Sequence, residues 1–223
     1  MMYGETFAAW RAEAAQDWHA YTHHPFVEGL KDGTLPREAF LRYLVQDYVF
    51  LIHFSRAWAL AVVKAGTVAE MRFATRALDV LLNEEIALHV ATCAREGIDE
   101  ATLFAAPEAV QNIAYTRYVL DAGHSGDFLD LLAALVPCVL GYGEIGLRLA
   151  SSRGNASYGD WIETYAGDAM QTACHEVGAL LDSAVARRLG PSPQASPRWD
   201  ALSQRFATAV RLEIGFWDMG LTG

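Results

Sequence analysis

The run Leu131-Leu132-Ala133-Ala134-Leu135-Val136-Pro137-Cys138-Val139-Leu140-Gly141-Tyr142 decides how the rest of the chain is read. It is apolar at almost every position and shows no alternation of polar and apolar residues, so it reads as helix. Extended back to Phe128, with Asp130 as its one charge, the apolar run to Leu140 is still shorter than the roughly 18 to 20 residues that span a bilayer. It is a core helix. Cys138 and Tyr142 lie four residues apart, which puts a thiol and a phenol on one face of that helix.

Apolar residues recur at three- and four-residue spacing almost throughout, so the chain is expected to be all-α. The spacing predicts helices over about 5–22, 36–65, 68–95, 108–122, 126–150, 157–189 and 198–220. Asp32-Gly-Thr-Leu-Pro36, Ala106-Pro-Glu108, Gly154 and the Gly-Pro-Ser-Pro run from 190 mark the breaks. Helices longer than the ordinary 11 to 12 residues suit a bundle whose sites are built from inward side chains.

A chain of 223 residues, 52% hydrophobic, fits one domain spanning 1–223 with a large core. Its net charge of −10 would repel nucleic acid and anionic lipid, and its 17 Lys and Arg residues form no basic run. Met1 to Ala15 mixes Glu5, Arg11 and Glu13 with apolar residues and lacks the core of a signal peptide, so a cytoplasmic location is expected. Three widely spaced cysteines, Cys93, Cys138 and Cys174, read as free thiols and not as a disulfide framework or a metal site.

Two more apolar stretches each carry a carboxylate among carbon-rich neighbours. Asp47 sits with Tyr43, Leu44, Phe50 and Leu51, and Glu213 with Ala209, Val210, Phe216 and Trp217. Desolvating an unpaired carboxylate costs several kcal/mol or shifts its pKa, so each needs a reason to be there. Asp47, Tyr115, Cys138, Tyr142, Tyr165 and Glu213 fall on five predicted helices, and spacing alone does not bring them together.

The segments His24-Pro-Phe-Val-Glu-Gly-Leu-Lys-Asp-Gly-Thr-Leu-Pro36, Gln46-Asp-Tyr-Val-Phe-Leu51, Val136-Pro-Cys-Val-Leu-Gly-Tyr142, Thr164-Tyr-Ala-Gly-Asp168 and Glu213-Ile-Gly-Phe-Trp-Asp-Met219 occur in an order that resembles the TenA family, also called thiaminase II or aminopyrimidine aminohydrolase. The resemblance covers nearly the whole chain. It implies a haem-oxygenase-like helical bundle without haem or other cofactor, assembled as a homotetramer. It also implies hydrolysis of 4-amino-5-aminomethyl-2-methylpyrimidine, and less readily thiamin, to hydroxymethylpyrimidine in thiamin salvage.

Carried over residue by residue, Cys138 matches the nucleophile, Glu213 the acid/base and Asp47 the carboxylate that holds the pyrimidine. Phe50, Tyr115, Tyr142 and Tyr165 match the substrate pocket; many relatives have tyrosine where this chain has Phe50, which keeps a ring for stacking and loses a hydroxyl. Each residue also has a plainer reading: a free cysteine in an apolar helix is often a small hydrophobe, and core tyrosines are common. Cys93, Cys174, Tyr48 and Trp217 are expected to pack.

A competing signal is Glu84-Glu85-Ile-Ala-Leu-His89, which sets Glu85 and His89 on one helical face. Its spacing is one residue longer than the Glu-x-x-His of di-iron bundles and does not recur, so no metal site is expected there, nor at His23, His24 or His53. The alternatives to hydrolysis are a redox enzyme of the same helical class, cofactor-free or di-iron, and a non-catalytic pyrimidine-binding or regulatory protein.

Overall fold

The quoted run becomes the middle of α9 (Phe128–Ala150), the axle of the bundle. Asp127 and Asp130 close a reciprocal capping box at its start, satisfying amides that would otherwise have no partner, and Arg198 bridges both carboxylates. Sixteen of its residues are buried, so apolar burial on every side fixes this helix far more than propensity does. Helix α9 is long and apolar enough to cross a membrane, but 78% of its most apolar window lies inside the protein, as the core-helix reading expected.

The computed structural model describes residues 3–151 and 157–222, and all its regular structure is helical. Before α9 come α1 (Glu5–Glu13), α2 (Ala15–Thr22), α3 (Pro25–Asp32), α4 (Arg37–Lys64), α5 (Val68–Val80), α6 (Ile86–Arg95), α7 (Glu100–Phe104) and α8 (Val110–Ser125). After it come α10 (Gly159–Ala166), α11 (Asp168–Leu189) and α12 (Trp199–Thr222). Helix α9 packs against α2, α4, α8, α10, α11 and α12. One apolar core runs from Tyr3 to Met219.

The departures from the predicted elements are local. The stretches expected as 5–22 and 157–189 each divide in two, at Ala14 and at Gly167. Helices α3 and α7 lie between the predicted elements; burial of Phe26, Val27 and Leu30 holds α3, His24 accepts the Phe26 amide at its start and Gly33 ends it in the left-handed region. The stretch expected as 68–95 is interrupted by a π-helical turn over Leu81–Glu85. Gly154 lies outside the described residues.

Candidate active site

Cys138 follows Pro137, which has no N–H to offer the Ala133 carbonyl one turn back. Two glycines then let other elements approach α9 closely. A Cβ at Gly141 would lie 2.2 Å from the Tyr21 ring, and one at Gly146 would lie 2.4 Å from the backbone of Tyr165. Gly146 thus allows α10 to seat Tyr165 against Tyr142, their ring centroids 4.9 Å apart.

Behind Cys138 stands Glu213 of α12, 1% exposed. Tyr115 of α8 donates its hydroxyl to Glu213 Oε1 at 2.7 Å, and the Cys138 thiol lies near enough for the two groups to shift each other's titration. Burial pushes the Glu213 pKa up to about 8; Tyr115 and Cys138 oppose that rise and nearby Asp47 adds to it. The thiol is raised well above its usual range by burial and then by the charges of Glu213, Asp47 and Glu85. At rest the proton therefore stays on sulfur, and Glu213 is poised to exchange protons near neutrality.

Across the cavity, Asp47 Oδ2 accepts the Tyr43 hydroxyl at 3.2 Å and meets His89 Nε2 at 2.6 Å. Trp161 Nε1 donates to the Tyr43 oxygen in turn. Burial alone would lower the His89 pKa, but Asp47 and Glu85 reverse that and hold it up at about 9. Burial pushes Glu85 up to about 7, with Asp47 adding to the rise and His89 opposing it.

Cys138, Asp47 and Glu85 border a cavity of about 290 Å³, close to the lower limit for small-molecule sites. Asp47, Phe50, Cys138, Tyr142 and Tyr165 form its inner end. Glu213 and Tyr115 back the cysteine without lining the space. From Cys138 the cavity continues past Phe54, Trp58, Phe73 and Met170 to Arg76 and Glu176, which are exposed. It offers a polar inner end for a ring bearing nitrogens and an apolar passage for whatever that ring carries.

Five of the seven residues singled out from the sequence thus line one space and the other two, Glu213 and Tyr115, stand behind it, while Cys93 and Cys174 are buried elsewhere with thiols raised to about 11 and about 12, chiefly by burial. Trp217 packs against Phe26, Tyr43 and Tyr142, and Tyr48 is buried. His89, weighed above only as a metal-site candidate with Glu85, turns instead to Asp47. Tyr43 was counted among the carbon-rich neighbours of Asp47; its place one turn before the aspartate was the signal that its hydroxyl would reach the carboxylate. His23 meets Thr22, His24 meets Asp218 and His53 meets Glu108. No cluster of three or more His, Cys, Asp or Glu among the described residues is arranged to hold a metal ion.

A family model described as TENA/THI-4/PQQC matches residues 11–223. The chain is 42% identical over 212 residues to an uncharacterized protein of Haemophilus influenzae, covering 94% of this chain and 95% of that protein. It is 37% identical over 218 residues to the aminopyrimidine aminohydrolase of Halalkalibacterium halodurans, covering 96% and 95%. Among solved structures, one named as a TenA family transcription regulator from a Silicibacter species superposes with a TM-score of 0.98 at 61% identity, covering 99% of this chain and 98% of that one. A Shewanella denitrificans domain described as having a haem oxygenase-like fold superposes at 0.74 and 13% identity, covering 96% and 91%, a likeness of fold.

Proposed function

We propose, from the premise that this chain belongs to the TENA/THI-4/PQQC family, that it is an aminopyrimidine aminohydrolase working through Cys138. The observation that carries this reading is that Cys138 and Asp47 line one small cavity, with the buried Glu213–Tyr115 pair close to the thiol. An aminopyrimidine presents an amine that donates to Asp47 and a ring nitrogen that becomes basic as the ring accepts a nucleophile. Phe50, Tyr142 and Tyr165 supply flat walls for it.

In the proposed reaction the sulfur of Cys138 adds to a ring carbon and the thiol's proton passes to the ring nitrogen beside Asp47, while Glu213 keeps its own proton. Glu213 then gives its proton to the departing nitrogen, breaking the exocyclic carbon–nitrogen bond. Water adds to that carbon, with Glu213 taking the water's proton, and loss of sulfur together with the ring-nitrogen proton restores the aromatic ring as hydroxymethylpyrimidine and Cys138 as the thiol. A carboxyl held near 8 serves both directions of transfer at neutral pH. The apolar passage supports a leaving group larger than ammonia, which keeps thiamin in the substrate panel beside 4-amino-5-aminomethyl-2-methylpyrimidine.

A regulatory role, in keeping with the name of the Silicibacter relative, is disfavoured for nucleic acid by the net charge of −10. Exposed Val63, Val68, Leu82, Phe104 and Val110 support assembly with further copies of the chain, and we take the assembly to be a homotetramer acting in the cytoplasm. Incubation with the pyrimidine panel, with hydroxymethylpyrimidine detected by chromatography, tests the activity. Binding without turnover of any member would replace hydrolysis by a pyrimidine-binding role.

A further inference from the structure

His89 Nδ1 lies 3.1 Å from the Glu85 backbone carbonyl and Nε2 lies 2.6 Å from Asp47 Oδ2. A carbonyl only accepts, so Nδ1 carries a hydrogen, and a second proton lies between Nε2 and the carboxylate. Both ring nitrogens are thereby occupied. Asp47 Oδ2 also takes the Tyr43 hydroxyl, so the oxygen that remains for a molecule in the cavity is Oδ1. The ring sits in the wall between two spaces: Asp47 borders the cavity of Cys138, whereas His89 borders a separate groove of about 470 Å³ edged by Arg37 and Arg95.

The backbone prepares this contact. Across the π-turn the Ile86 amide closes on the Leu81 carbonyl, five residues back, and the added residue rotates α6 relative to α5. That phase turns His89 and Cys93 inward while Leu82 and Leu88 stay exposed. Single π-turns inside helices recur at functional sites, and here the turn supplies the carbonyl that fixes the imidazole.

We propose that His89 is a positioning residue: clamped by the Glu85 carbonyl, it holds Asp47 by Oδ2 so that Oδ1 is presented to the pyrimidine. This rests on the aminopyrimidine reading above. The raised pKa of His89 adds that the clamp is cationic and offsets the burial of the carboxylate, as a buried charge requires.

The test uses two amides of different reach. The His89→Gln amide arrives near the place of Nε2 and can still donate to Asp47; the His89→Asn amide arrives only near Nδ1. Hydroxymethylpyrimidine binding by calorimetry and turnover of the aminomethyl compound are measured for wild type, both variants, Asp47→Asn and each His89 variant combined with Asp47→Asn. Removing a charge-assisted hydrogen bond corresponds to roughly 10- to 100-fold in affinity. His89→Asn should raise Kd and KM by that factor, and His89→Gln by no more than about fivefold. In the Asp47→Asn background the two should differ by less than about twofold, because a residue acting through Asp47 has nothing left to orient. Equal Kd values for His89→Gln and His89→Asn, or a full His89→Asn effect without Asp47, would overturn the inference. Wild type that neither binds nor turns over the pyrimidines overturns the functional reading itself, and this inference with it.

Discussion

Helix α12 is buried along both halves, yet the two halves bury different things. Around Phe206 the surroundings are mainly aromatic, its ring lying 5.7 Å from Trp18, 5.8 Å from Trp10 and 6.2 Å from Phe7, with a buried polar neighbour on its face, Ser203, bonded to Glu13. Two turns later Glu213 is equally hidden but carries an acid, bonded to Tyr115 and close to Cys138. The first half gains free energy from burial; the second spends some of it holding a carboxyl where water cannot. Depth is thus no guide to function in this bundle, whereas the character of what is buried separates scaffold from site.

The sharpest way to break that contrast is Cys138→Ser. Serine nearly preserves volume but is a far weaker nucleophile, so turnover should fall by at least about 10³-fold while the thermal midpoint and hydroxymethylpyrimidine binding stay close to wild type. Cys93→Ser and Cys174→Ser, whose thiols are buried away from the cavity, should retain activity. Near-normal turnover by Cys138→Ser would leave Glu213 to activate water directly and remove the covalent step.

Glu213→Gln tests both sides of the comparison at once. An amide keeps the shape and loses the proton, so kcat should drop by about 10²- to 10⁴-fold. Stability should move the other way. A carboxyl raised from 4.5 to about 8 on folding is protonated in the folded chain and ionised in the unfolded chain between those values, so wild-type stability falls as pH rises through that window. His89, raised from 6.5 to about 9, adds stability that is complete below 6.5 and is lost toward 9. Thermal unfolding followed from pH 5 to 9 should therefore show a decline that is shallower in Glu213→Gln, with the variant more stable than wild type at pH 8. An unchanged pH profile would mean that Glu213 is not held neutral by its site.

In the other half, Phe206→Ala should cost about 3–5 kcal/mol of unfolding free energy, the usual cost of deleting a buried phenyl ring. Measured below the unfolding transition, KM should match wild type, since Phe206 touches aromatic scaffold and not the cavity. A selective change in KM without loss of stability would erase the division between the two halves.

How much of this was legible beforehand follows the same division. The long elements α4, α9 and α12 show in the apolar spacing because each buries a face or its whole circumference. Helix α3 was not visible, because its eight residues gain helicity only through tertiary packing, and neither was the π-turn, which differs from an α-helix by one residue in the same apolar pattern. At the site, Cys138, Asp47 and Glu213 stood out as chemistry set in carbon-rich surroundings. The Asp47–His89 bond joins residues 42 apart in sequence, and no local period encodes it. His89 was noticed only for its relation to Glu85 on its own helix; the partner that matters comes from α4.

The smallest expected effect belongs to Phe50→Tyr, and it measures how finely the chamber is tuned. Phe50 lines the cavity between Asp47 and Cys138, stacks on Phe54 at 5.2 Å and meets Tyr115 and Phe216 at 5.1 and 5.4 Å. Its ring can therefore act as a wall for a flat substrate without a polar contact of its own. A hydroxyl added there enters a space already holding Asp47, Tyr142 and Tyr165, where it either finds an oxygen to bond or stays desolvated. In both cases stacking survives, so kcat/KM should change by no more than about tenfold. Steady-state kinetics of the two forms decide the point: a gain beyond that would mean that the added hydroxyl makes a productive polar contact in the chamber, and a loss beyond it would mean that the wall at Phe50 must remain apolar for the ring to seat against Asp47.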